Sequence, residues 1–185
     1  MLQLENLGDF EWRNVIDRLD RSVAESCRWY LHRLQSQHTP IRAASWSQEL
    51  DELGMGREPD YNRPGRPLVY ALKYMPRRVI SILGSLLTVA SDRYPTSVLD
   101  IGSGTGATAF ALDLLNAPRH ISLLGIEPSR EMTAFAECSQ YRARVSARYN
   151  EGSVASDSLS GLPLESFDLV VFSACFPYRF ADWSP

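Results

Sequence analysis

The run Asp100-Ile101-Gly102-Ser103-Gly104-Thr105-Gly106 sets a carboxylate and three alternating glycines within seven residues. It follows the apolar Val98-Leu99 and precedes Ala107-Thr108-Ala109-Phe110, so it reads as the turn from a strand into a helix. Backbone that turns this sharply and approaches a ligand closely calls for glycine. The helix that follows offers unpaired N–H groups and a partial positive charge. Such a loop cradles a nucleotide-like or anionic ligand, although a glycine turn can also serve only tight packing of strand against helix. Glu127 ends the next apolar run, 21 residues beyond Gly106. A carboxylate there can accept hydrogen bonds from both hydroxyls of a ribose. Asp100, two residues before the first glycine, can hold an amine or order the loop through its N–H groups.

The spacing of Gly102, Gly104 and Ala107 also satisfies the dinucleotide pattern G-x-G-x-x-A. Asp100, the additional Gly106 and the position of the run some hundred residues into the chain set it apart from that pattern.

The elements around the run follow from periodicity. From Phe10 to Leu34 the residues Trp12, Ile16, Leu19, Val23, Cys27, Tyr30 and Leu34 recur at steps of three and four, predicting a long amphipathic helix. A shorter helix is expected from about Ala43 to Leu53, then a loop punctuated by Gly54, Gly56, Pro59, Asn62, Pro64, Gly65 and Pro67. Leu68 to Ala90 is helical again, with Pro76 either kinking it or starting a new helix whose Val79, Ile80, Leu83, Leu86 and Leu87 face inward. Residues 1–95 thus form a helical cap region. From 96 to 185 strands and helices alternate: strands at Ser97–Ile101, Ile121–Glu127, Val145–Glu151 and Phe167–Phe172, and a helix capped by Ser129 running to about Arg142. That alternation implies an α/β fold with a parallel Rossmann-like sheet.

With these elements in place the chain resembles the class I methyltransferases, through VLDIGSGTG (98–106), GIEPS (125–129), EGSV (151–154) and FDLVVFS (167–173). The resemblance implies S-adenosylmethionine as cofactor rather than NAD. It implies that Asp100, Gly102, Ser103, Gly104 and Gly106 shape the methionine and ribose side of the pocket, with Glu127 on the ribose hydroxyls. Ser153 stands where the family often has an acid near adenine, and Ser173, after the fourth strand, would face the transferred methyl. Tyr70-Ala71-Leu72-Lys73-Tyr74-Met75-Pro76-Arg77-Arg78 looks like the methyltransferase-like family of the mitochondrial and bacterial small ribosomal subunit. That likeness implies small-subunit ribosomal RNA as substrate or partner. The family's clustered C-terminal cysteines have no counterpart here, and a role that depends on them is not carried over.

From Arg57 to Arg78 six basic residues face two acidic ones, with Tyr61, Tyr70 and Tyr74 interleaved. This is either an RNA-facing edge, in which cations meet phosphates and tyrosines stack on bases, or a solvated helix face with its tyrosines in the core. Tyr70 and Tyr74, one turn apart, can equally cover the cofactor pocket. Cys175-Phe176-Pro177-Tyr178 has only a faint likeness to the N/D-P-P-Y loop of amino-methyltransferases and is not read as catalytic. No general base is named. His32, His38 and His120 lack metal-ligand spacing, and no metal is expected.

Composition sets the outer bounds. Of the 185 residues 44% are apolar and 22% charged, which excludes a disordered or collagen-like chain. Residues 1–95 hold 13 basic and 12 acidic side chains and 96–185 hold 6 and 10, so no domain-wide basic field exists. Three scattered cysteines support neither a disulfide framework nor a zinc site. With no apolar run long enough for a bilayer and no leader pattern, a cytoplasmic protein is expected, the mitochondrion being the alternative.

A full class I sheet has seven strands, and this chain supplies four. The fourth is then expected as an exposed apolar edge, covered by a protein partner or a second copy, in a C-terminally incomplete domain. The leading expectation is a methyltransferase. The alternatives are a catalytically inert assembly protein that keeps the fold, a small-molecule methyltransferase, and a nucleotide-dependent oxidoreductase.

Overall fold

A computed structural model describes residues 9–38, 48, 50–52, 60–89, 94–141, 144–153 and 162–173. Helix α1 spans Asp9–Ser36, α2 Arg66–Lys73 and α3 Met75–Val89. Strand β1 (Ser97–Ile101) leads through the glycine run into α4 (Ala107–Leu115). After it come β2 (Ile121–Glu127), α5 (Arg130–Glu137), β3 (Val145–Glu151), a 3-10 turn at Leu164–Ser166 and β4 (Leu169–Phe172).

The strands pair in the order β3-β2-β1-β4, all parallel, and Leu99 of β1 lies opposite both Leu124 of β2 and Val170 of β4. This is the Rossmann-like α/β sheet that the alternation of elements predicts. Alternation along β1 sends Val98 and Asp100 toward one face, and Leu99 and Ile101 toward the other. Burial on both faces is why, beyond Ser97, the strand is an apolar run broken only by Asp100. The helices pack on the face of Val98, in a core that takes in Tyr30, Met75, Val79, Phe110, Leu112 and Phe135. The opposite face carries a smaller cluster of Leu99, Ile101 and Ile126, with Leu124, Leu162 and Phe167 against it. Among the described residues β4 pairs with β1 alone, and Val170 and Phe172 are exposed, Phe172 by 53%.

The helix of residues 10–34 forms as its periodicity predicts. Leu19, Val23, Cys27, Tyr30 and Leu34 are all buried, each contributing on the order of 1.5–3 kcal/mol of apolar burial. Ile16 does not join them. It is 47% exposed, and Val15, on the same helical stripe as Trp12 and Leu19, packs on the core instead. Polar contacts tie α1 across the later helices: the Tyr30 hydroxyl donates to Glu131 on α5, and the Arg18 guanidinium reaches the Asp113 carbonyl at the end of α4.

Pro76 begins a new helix rather than kinking one. Tyr74 ends α2, and Pro76 sits at the second position of α3, where its missing N–H leaves no helical bond unmade. The helix expected from about 43 to 53 is described only at residues 48 and 50–52, which are helical. Two boundaries differ from expectation. α5 ends at Glu137 rather than near Arg142, because the N–H groups of Cys138 and Ser139 close back on the Phe135 and Ala136 carbonyls, and Tyr141 leaves to pack on Phe110 with ring centroids 5.2 Å apart. The fourth strand begins at Leu169, since Asp168 turns its carboxylate onto the Thr96 and Ser97 N–H groups and the Thr96 hydroxyl.

Candidate functional site

The chain leaves β1 through Gly102, Gly104 and Gly106, all at positive φ (73°, 54° and 85°). The N–H groups of Gly102 and Ser103 both reach the Ile126 carbonyl, at 2.8 and 3.2 Å, and the Gly106 N–H reaches the Ser103 carbonyl at 2.9 Å. Backbone alone thus ties the loop to the end of β2. Glu127, 7% exposed, completes the tie: its carboxylate accepts the Gly104 N–H at 2.8 Å and the Ser129 N–H at 3.0 Å. Burial raises the Glu127 pKa, and the two N–H donors hold part of that rise back. A carboxylate has about four lone-pair sites, so it keeps capacity for two hydroxyl donors while it holds the loop. Ser129 then caps α5, its hydroxyl oxygen accepting the Met132 N–H at 3.2 Å.

Asp100 is fully buried beneath this loop, on the side of α4. Burial pushes its pKa up to about 6, and the nearby Thr108 and Ser173 hydroxyls offset only part of the rise. Those hydroxyls bond one another at 3.0 Å, and neither Asp100 oxygen has an ordinary hydrogen bond among the described residues. The loop N–H that Asp100 was expected to hold is therefore held by Glu127. The orphaned carboxylate, backed against Ser173, favours positive charge on the far side of that serine.

A tyrosine wedge supports the loop from behind. The Tyr141 and Tyr149 hydroxyls bond each other at 2.9 Å, and burial raises the pKa of both, that of Tyr141 to about 12. A Cβ on Gly106 would lie 2.7 Å from the Tyr149 Oη, and one on Gly125 would lie 2.5 Å from the ring of Tyr149 and 2.8 Å from the Ser103 Oγ. At both positions glycine is the residue that lets the ring in.

Above the loop opens a cavity of about 220 Å³. Ser103, Gly104 and Thr105 form its floor, and Phe172 and Ser173 at the end of β4 one wall. The opposite wall comes from the helical cap: Tyr70 of α2 with Arg78, Ser81 and Ile82 of α3. Tyr70 packs edge-on against Tyr61 and tilted against Tyr74, and the Arg78 guanidinium lies over its ring, 5.2 Å from the centroid. Of the three readings of the tyrosine stretch, the RNA-facing one does not fit Tyr70, which is buried and lines the cavity.

The expected site residues thus divide. Gly102, Ser103, Gly104 and Ser173 line the cavity, Asp100 and Gly106 lie behind it, and Glu127 reaches the loop from beyond Gly104. Ser153 sits two residues past the end of β3 and does not line the cavity. Thr108 and the Tyr141–Tyr149 pair carry no motif in the sequence; the one signal is the position of Thr108 in the first turn after Gly106. In the basic stretch Arg63 and Arg66 both pair with Glu52, Lys73 bonds the Leu50 carbonyl, and Arg77 is exposed. Arg57 and Cys175-Phe176-Pro177-Tyr178 lie outside the described residues. Among the described residues no group of His, Cys, Asp and Glu could hold a metal ion, and no helix is long and apolar enough to cross a membrane.

Residues 98–184, a little under half of the chain, match the family described as "Methyltransferase domain". The match takes in the loop, Glu127 and all four strands but for Ser97. No curated protein matches the chain. Among solved structures the chain is similar to the plantazolicin methyltransferase BpumL in complex with SAH. The identity is 15%, the TM-score 0.40, and the alignment covers 85% of this chain and 49% of that one, so it spans about half of that protein's length. The ribosomal likeness of residues 70–78 lies outside the family match, and none of these comparisons points to it.

Proposed function

We propose that the chain is a methyltransferase that binds S-adenosylmethionine across the glycine loop and transfers its methyl group to an acceptor that enters under the cap, a reading the family match of residues 98–184 supports. The observation that carries this reading is the Glu127–Gly104 tie beside an open cavity at the C-terminal edge of a parallel sheet, where such folds bind ligands. When bound, the cofactor supplies an electrophilic sulfonium methyl that a nucleophile takes in line, so that positioning provides most of the acceleration. The chain's own part is to hold and to shield. Glu127 offers two acceptor sites to a ribose diol while its N–H bonds keep the loop in place. The buried Asp100, acting through Ser173, favours positive charge at the cavity wall. Tyr70, Ile82 and Phe172 keep that wall apolar and limit water.

Two acceptor classes fit this arrangement. Small-subunit ribosomal RNA is supported by the likeness of Tyr70–Arg78 to the ribosomal family. A small molecule is the second reading, supported by how the cap uses its cations: Arg63 and Arg66 turn to Glu52, and Arg78 turns to Tyr70 inside the cavity, which leaves less of the stretch to face a phosphate backbone.

Calorimetric titration with S-adenosylmethionine, S-adenosylhomocysteine and NAD tests the cofactor. Micromolar binding of the first two, about −8 kcal/mol, with none for NAD is the expected result. Gly104→Val, which places a branched side chain at a φ of 54°, should abolish that binding while the chain stays folded. Binding of NAD alone would overturn the assignment. Transfer of labelled methyl to purified small-subunit RNA or to a small-molecule pool then separates the two acceptors. Cofactor binding with no transfer to either would favour the inert assembly role.

A further inference from the structure

We infer that Asn62 and the Tyr61 carbonyl of the cap are a positioning element for the Glu127 carboxylate, so that seating of the cap and binding of a ribose diol are coupled. The inference rests on the reading of Glu127 as the ribose acceptor and adds what holds that carboxylate ready. Glu127 takes its direction from two N–H groups, those of Gly104 and Ser129. The Gly104 N–H belongs to a loop that backbone bonds already tie to β2. Ser129 is held from outside the sheet. Its hydroxyl donates to the Tyr61 carbonyl at 2.9 Å, and the next N–H, that of Arg130, donates to the Asn62 side-chain oxygen at 3.0 Å. Tyr61 and Asn62 precede the residues matched by the methyltransferase family, so this hold comes from the cap.

Helix chemistry explains why the hold reaches Glu127. The first N–H groups of α5 have no partner within the helix. The Ser129 hydroxyl oxygen accepts one, from Met132, and the Asn62 side chain accepts another, from Arg130. With both bonds made, the turn is fixed with the Ser129 N–H where the Glu127 carboxylate meets it. The cap segment is itself braced. Asp60 accepts the Asn62 N–H at 3.0 Å, an Asx turn that presents the Asn62 side chain, and Glu52 pairs with Arg63 and Arg66 at 3.0 and 2.6 Å. The Tyr61 ring packs edge-on against Tyr70, which lines the cavity, and from α1 the Tyr30 hydroxyl donates to Glu131 in the same first turn of α5. A cap segment that lifts away breaks both bonds to residues 129 and 130 and lets the Ser129 N–H turn from Glu127. By linkage, a ligand that uses the seated carboxylate holds the cap down by the same factor.

The test compares two probes on the full chain by calorimetry: S-adenosylhomocysteine and its 2′,3′-dideoxy analogue, which offers Glu127 no diol. Asn62→Ala should weaken S-adenosylhomocysteine by about twofold to tenfold, the effect of one hydrogen bond between uncharged groups, and leave the analogue unchanged. Asn62→Asp should restore the wild-type affinity, because a carboxylate oxygen accepts the Arg130 N–H as the amide oxygen does. Amide exchange reads the reverse direction: S-adenosylhomocysteine should slow exchange across residues 60–66 of the wild-type chain, and the analogue should slow it less. Equal loss for both probes in Asn62→Ala would make Asn62 a support of the fold alone and overturn the inference. A wild-type preference for the diol that Asn62→Ala leaves untouched would overturn the coupling and spare the reading of Glu127. Wild-type chain that binds both probes equally, or neither, would overturn that reading and the inference with it.

Discussion

The Glu127 carboxylate and the Gly104 N–H, 23 residues apart, meet at 2.8 Å and join the end of β2 to the middle of the glycine loop. The same carboxylate holds the Ser129 N–H at the start of α5. One side chain therefore sets both the loop and the first turn of a helix, and its remaining acceptor sites are the ones proposed for a ribose.

Glu127→Gln tests that joint role. The amide keeps one acceptor oxygen but loses the charge and one of the two N–H bonds. Chemical unfolding should show a loss of about 1–3 kcal/mol, and S-adenosylhomocysteine affinity should fall about tenfold to a hundredfold. A fall in stability with unchanged affinity would mean that Glu127 serves the loop alone.

The close approach of Tyr149 to Gly125 predicts a coupled pair. Gly125→Ala puts a Cβ 2.5 Å from the Tyr149 ring and should destabilise by about 1–3 kcal/mol, as overpacking does. In a Tyr149→Leu background the ring is gone, and the same substitution should cost less, giving a coupling energy of about 0.5–3 kcal/mol in a double-mutant cycle. Additive losses would show that another neighbour sets the limit.

Gly84 provides the contrast. It lies inside α3, and nothing stands within 4 Å of an added Cβ. Gly84→Ala should stabilise by about 0.5–1 kcal/mol through helix propensity and raise Tm by about 1–4 °C.

The buried Asp100 predicts a pH dependence of known sign. Its pKa rises from 3.8 to about 6 on folding, so between those values the folded chain binds more protons than the unfolded one. Its contribution is thus most favourable below about pH 4, declines as pH rises toward 6 and is flat above. Over that window it removes about 3 kcal/mol, which Asp100→Asn should no longer lose. Urea unfolding of both proteins at pH 4, 5, 6 and 7 should show the difference shifting in favour of Asn with rising pH. A constant difference would mean that Asp100 titrates as in the unfolded chain.

The strands, the glycine run and Glu127 were legible in the chain because each is written locally. β1 is apolar on both faces, the loop needs glycine at fixed steps, and the acid stands at the end of the next strand. Strand pairing then follows from the alternation of strand and helix, which leaves few topologies open. The basic stretch was ambiguous for the opposite reason: whether Arg66 meets a phosphate or Glu52, and whether Arg78 faces solvent or a cavity, depends on what the fold brings beside them. The order of residues along the chain determined the Rossmann-like sheet and the glycine loop. Only the tertiary structure decided that Asp100 lies behind the cavity rather than in it, that Tyr141 and Tyr149 fill the space two glycines leave, and that the cap turns Arg78 toward the loop. Those outcomes rest on contacts between residues distant in sequence, where burial and charge are properties of the neighbours and not of the residue itself.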